Sequence, residues 1–146
     1  MTSFTYKEAI RNFLGEIPLT AEFYYQLKQK GEPISRYSLR NITAKMPQIL
    51  ADVEENKTTQ EHPKKILVFT SLHYWIEHAA TLALYFAAKG HDVTFGYLPY
   101  SEWQKTVSKF DLRRQEIYTK KIFEGAEKYM KIVSFLPIHP SYRNLP

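Results

Sequence analysis

The stretch Lys64–Tyr100, KKILVFTSLHYWIEHAATLALYFAAKGHDVTFGYLPY, decides how the chain is read. Ile66-Leu67-Val68-Phe69 is an unbroken apolar run, the pattern of a strand covered on both faces in a parallel sheet. Ala79, Leu82, Ala83, Phe86 and Ala87 then recur at helical spacing, and their small side chains let a helix lie close on a sheet. Gly90 stops that helix, and HDVTFGYLP (residues 91–99) reads as a second strand. A strand, a helix and a strand in this order predict a right-handed parallel crossover. Between the first strand and the helix such units commonly carry a glycine-rich turn that holds phosphate. Here that place reads SLHYWIEH, Ser71 to His78, without a glycine.

Working outward, residues 1–60 read as helices. Phe4, Ala9, Ile10, Phe13 and Leu14 keep helical spacing up to Pro18. Thr20 is the expected cap of a second helix closed by Gly31, with Phe23, Tyr24 and Leu27 as its buried face. Ile42, Met46, Ile49, Leu50 and Val53 line the inner side of a third, in which Pro47 either makes a kink or opens a new helix. EENKTTQEHPKK (residues 54–65) is a polar connection. On the other side, Ser101 and Gln104 suit a short capped helix, Asp111 is the expected cap of LRRQEIYTKKIF, and YMKIVSFLP (residues 129–137) is a third strand.

The expected fold is therefore α/β: a partial Rossmann-like, three-stranded parallel sheet with flanking helices in residues 61–146. A helical section, residues 1–60, precedes and packs on it. Three strands amount to half of a doubly wound sheet. The expectation is an amino-terminal piece of a longer protein, or self-association through the incomplete sheet.

Composition narrows the function classes. The chain has 146 residues, 44% of them hydrophobic, enough for one core. Eleven Tyr and nine Phe suit half-wet surfaces as well as a core. A net charge of +5 comes from scattered Lys and Arg with no nucleic-acid signature, so no nucleic-acid partner is expected. There is no cysteine, which excludes thiolate chemistry and cysteine–zinc sites. The longest apolar run is too short for a bilayer and the N-terminus lacks a signal-peptide core, which points to the cytoplasm, compatible with a peripheral position on a membrane.

Ligands of open parallel sheets bind beyond the carboxyl ends of the strands. The segments meeting there supply Ser71, Tyr74, Trp75, Tyr97, Tyr100, His139, Tyr142 and Arg143 as substrate-binding candidates. His73, Glu77 and His78 are the acid–base candidates, because imidazole and carboxylate exchange protons near neutral pH. Duller roles are available to each: a loop histidine, a first-turn hydrogen bond, a carboxylate favoured by the helix dipole. Dinucleotide phosphates need small turn residues, so the bulky turn excludes a nicotinamide enzyme, and no cofactor is expected. No metal site is expected either, since His73 and His78 lack the helical zinc spacing, and Ser71 lacks a nucleophile elbow.

Lys89-Gly90-His91-Asp92-Val93-Thr94, together with the strand before it and the Ala79–Ala88 helix, resembles the opening of GT-B-fold glycosyltransferases, over about a quarter of the chain. YLPYSEWQKTVSKFDLRRQ (residues 97–115) is similar to segments of surface-carbohydrate biosynthesis proteins. The resemblance implies transfer of a sugar from a nucleotide donor to an acceptor carbohydrate or lipid-linked glycan. The amino-terminal domain takes the acceptor, and a carboxy-terminal half is needed for the nucleotide sugar. Many members place a histidine base in the loop after the first strand; counting back from Gly90, Trp75 stands at that place, so no catalytic residue is carried over by position. The alternative is a Rossmann-like interaction module that docks a partner protein or domain.

Overall fold

The strand–helix–strand unit Lys65–Tyr97 folds as its pattern requires. In a computed structural model that describes residues 6–34, 37–99 and 107–138, β1 (Lys65–Thr70) is joined by α4 (His73–Ala88) to β2 (Asp92–Tyr97). The strands run parallel, with Ile66 opposite Val93 and Phe69 opposite Gly96. β3 (Lys131–Ser134) follows α5 (Lys109–Phe123) and pairs parallel with β2, giving the order β1-β2-β3. Gly90 ends α4 at φ +80°, and a Cβ there would lie 2.4 Å from the Thr58 carbonyl oxygen, so the residue meets two demands that only glycine satisfies.

Both crossovers move the same way across the sheet, which places α4 and α5 on one face. Val93, Phe95 and Tyr97 point into that side and share one core with Ile76, Ala80 and Leu84 of α4 and Tyr118 and Phe123 of α5. The other face is different. Among the described residues nothing covers Leu67, which is 63% exposed, and Phe69 beside it is exposed as well. The expectation of cover on both faces is therefore corrected: an apolar run records what a strand can bury, not what arrives to bury it. Phe69 and Phe135 instead meet edge to face, with centroids 5.1 Å apart, over Gly96. A Cβ on Gly96 would come within 2.6 Å of the Phe135 ring.

The amino-terminal helices are α1 (Tyr6–Glu16), α2 (Thr20–Tyr24), continued by a wider π turn over Tyr25–Gln29, and α3 (Arg40–Glu55). α3 runs as one helix through Pro47 and sends Ile42, Met46 and Val53 into the sheet's core, with Ile49 and Leu50 packed against it. The α2 face differs from expectation: Ala21, Tyr25 and Gln29 are buried, while Phe23, Tyr24 and Leu27 are exposed. Ala21 and Tyr25, four residues apart, take the inward side, which puts Phe23 and Leu27 on the other side before any effect of the π turn. Thr20 caps nothing; its hydroxyl donates to the carbonyls of Leu14 and Ile17. The cap of α5 is Ser108, three residues before the expected cap Asp111; its Oγ accepts from the Asp111 amide and donates to the Asp111 carboxylate.

The first two turns of α5 hold α1 and α2 by polar contacts. Arg113 donates to the carbonyls of Gly15 and Ile17 at 2.9 Å each and to Glu22 at 2.7 Å, closing the free carbonyl end of α1. Lys109 pairs with Glu16 at 2.6 Å and Arg11 with Asp111 at 3.2 Å. Arg114 lies over the Tyr24 ring, 4.4 Å from its centroid. Gly15 permits the approach, because a Cβ there would sit 2.6 Å from the Phe110 amide nitrogen.

Candidate functional site

The site starts where β1 ends. Leu72 is the last extended residue, and the Trp75 amide donates to its carbonyl as the helix begins at His73. The expected eight-residue turn is thus two residues followed by the start of α4. With no glycine or proline in the stretch, nothing delays helix formation. Helical phase then sorts the candidates, since residues three or four apart share a side.

Trp75 and His78 fall together, with rings 5.7 Å apart, and Trp75 is 53% exposed. They border a groove of about 490 Å³ walled by Val68, Phe69, Leu72, Ala79 and Leu82, with Thr70 and Ser71 at its end. Its surface is mainly apolar, and its polar equipment is an imidazole and two hydroxyls. Tyr74 is exposed beside Trp75, 6.1 Å between centroids. Ser71, Trp75, His78 and Tyr74 are therefore brought to one edge of the sheet.

The remaining candidates lie elsewhere. His73 turns toward Tyr37, with centroids 6.0 Å apart, and meets Tyr74 at 5.2 Å. The Glu77 carboxylate accepts from the Ile42 amide at 3.2 Å and the Asn41 side chain at 3.1 Å. It thereby caps the N-terminus of α3, whose own preceding residue, Leu39, offers no capping side chain. Tyr97 is fully buried, stacked on Phe95 at 5.7 Å, so its expected contact with ligand is corrected: the strand's alternation aims it at the core. Burial pushes the Tyr97 phenol pKa upward, the Glu116 charge adds to this, and the Ser134 hydroxyl partly opposes it. Tyr100, His139, Tyr142 and Arg143 lie outside the described residues.

Phe69, Leu72 and Leu82 form walls that site reasoning passed over. Their signal was present as apolar residues at the end of a strand and on a helix flank, which core packing explains equally well. A second cavity, about 340 Å³, lies between α3 and α4 beside Asp52, Asn56, Tyr85 and Lys89. Among the described residues no group of three His, Asp or Glu side chains is placed to hold a metal ion, and no helix is long and apolar enough to cross a membrane. Comparison with known proteins gives no match: no family model, no curated protein and no solved structure is significantly similar to this chain.

Proposed function

We propose that the groove beside β1 binds a carbohydrate acceptor, and that the chain is the acceptor-side, amino-terminal part of a nucleotide-sugar-dependent glycosyltransferase, inactive without a donor-binding half. The observation that supports this reading is the Trp75–His78 pair at the carboxyl end of β1. An indole face packs against the C–H face of a sugar ring, and an adjacent imidazole is the side chain suited to take a proton near neutral pH. In transfer, the acceptor hydroxyl oxygen bonds to the donor's anomeric carbon as the bond to the nucleotide phosphate breaks. The hydroxyl proton passes to His78. His73 faces Tyr37, and Glu77 caps α3, which leaves His78 as the acid–base group at the groove.

The test has two readouts. In a Trp103→Phe background Trp75 is the only indole, and its fluorescence is expected to shift on titration with acceptor-type glycans. In the complete gene product, supplied with a panel of nucleotide sugars, His78→Ala is expected to abolish transfer while leaving the glycan shift intact. An unresponsive Trp75, with transfer absent from the whole panel, overturns the reading.

A second reading, a non-catalytic module that docks a partner protein, is favoured by the uncovered sheet face with Leu67 and Phe69 exposed. Size exclusion with light scattering separates the two. A dilute monomer whose Leu67→Lys variant behaves identically speaks against docking through this face.

A further inference from the structure

The outer surface of α1 and α2 has the polarity of an interior. Tyr6, Ile10, Phe13 and Ile17 follow one another at intervals of four, three and four residues, which keeps them on one side of α1 and its continuation. That side faces solvent: Tyr6 is 81% exposed, Phe13 is 66% exposed, and Ile10 and Ile17 are exposed with them. α2 and its π turn repeat the arrangement with Leu19, Phe23 and Leu27, the last 68% exposed. The opposite side of both helices is taken up by the contacts with α5 through Gly15, Arg113 and Arg114. Two adjoining stripes of large apolar side chains are thus turned outward by a polar attachment on the inside.

The charges around the stripes are not balanced. Glu16 and Glu22 are engaged by Lys109 and Arg113, Glu32 by Arg40, and Glu8 has a partner as well. Lys7, Lys28 and Lys30 are exposed and have no ion pair among the described residues. What the surface offers is aliphatic and aromatic side chains flanked by unspent positive charge. A second copy of the chain fits poorly, since a symmetric contact would bring the lysines of both copies together. Neither cavity described above is lined by these residues.

We propose that the outer surface of α1 and α2 lies on an anionic lipid bilayer, with Tyr6, Ile10, Phe13, Phe23 and Leu27 entering the headgroup–acyl boundary and Lys7, Lys28 and Lys30 against lipid phosphates. Amphipathic helices with an apolar face and basic flanks bind in this way, in the plane of the interface and without spanning it. The proposal rests on this surface alone and does not require the sugar-transfer reading.

Cosedimentation of the full chain with vesicles tests it. Binding is expected to vesicles of equal parts phosphatidylcholine and phosphatidylglycerol, and to be at least tenfold weaker to phosphatidylcholine alone or at high salt. Each of Lys7→Gln, Lys28→Gln and Lys30→Gln is expected to weaken binding about fivefold, the equivalent of about 1 kcal/mol per lysine. Phe13→Ser with Phe23→Ser is expected to abolish it, while Leu67→Ser on the open sheet face leaves it unchanged. Circular dichroism of each variant confirms that it is folded. No binding to the anionic vesicles overturns the proposal, as does binding that the phenylalanine substitutions leave intact. Concentration-dependent dimerisation abolished by Phe13→Ser, without vesicle binding, assigns the surface to self-association and overturns it equally.

Discussion

α1 and α3 are built on the same plan and used in opposite ways. Each carries an apolar stripe at helical spacing: Tyr6, Ile10 and Phe13 on one, Ile42, Met46 and Val53 on the other. α3 buries its stripe against α4 and the sheet, whereas α1 exposes its own and attaches through Asn12, Gly15 and the basic residues of α5. Periodicity therefore establishes that a helix has two sides, and the chemistry of its neighbour decides which side turns inward. α3 meets the alanine- and leucine-rich α4. α1 meets Lys109, Asp111 and Arg113, for which polar groups and a glycine are the better match.

The contrast can be broken at several points. Met46→Ala removes volume from the shared core and is expected to cost about 2–5 kcal/mol by denaturant titration, in the range of buried truncations elsewhere. Arg113→Ala deletes charge-assisted hydrogen bonds to Gly15, Ile17 and Glu22 and is expected to cost about 1.5–3 kcal/mol. Its signature is local: amide hydrogen exchange speeds up in α1 and α2 and stays unchanged in β1 and α4. Glu77→Ala removes the cap of α3 and is expected to cost about 1 kcal/mol, visible as a lower melting temperature. A melting temperature equal to the parent's returns Glu77 to the list of groups free for chemistry.

The buried side also has a pH signature. Burial raises the pKa of the Tyr37 phenol above its ordinary value of 10.0, against the opposing hydrogen bond with Thr119. The folded value exceeds the unfolded one, so this contribution is fully present below pH 10 and is lost as pH rises beyond it. Stability is expected to fall through the alkaline range, and less steeply in Tyr37→Phe, measured by denaturant midpoints across that range. The smallest effect belongs to the exposed stripe. Phe13→Ser is expected to change stability by no more than about 0.5 kcal/mol, as for surface positions generally.

Much of this was legible before the structure. The Lys65–Tyr97 crossover, its parallel order, the third strand and the inner face of α3 all follow from local pattern. What escaped depends on residues far apart in sequence. Nothing in Ile66–Phe69 tells that one side of β1 is left open, and nothing in α2 tells that Ala21 and Tyr25, rather than the larger apolar set Phe23, Tyr24 and Leu27, take the inward side. Of the candidate site, Trp75 and His78 lie beside the end of β1, where local pattern predicts a loop and α4 already runs. That difference separated His73 and Glu77 from them. Glu77 illustrates the limit: the residues it caps are 35 and 36 positions away, a distance no local reading spans.

The most direct measurement uses the absence of cysteine in the chain, so that each single-cysteine variant reports one position. Phe13→Cys and Met46→Cys are exposed to a thiol reagent under native conditions, with the unfolded protein as reference. The outward stripe requires Phe13→Cys to react at close to the unfolded rate while Met46→Cys stays protected until the protein unfolds. Equal protection at both positions would mean that α1 buries its apolar side as α3 does, and the surface described above would not exist.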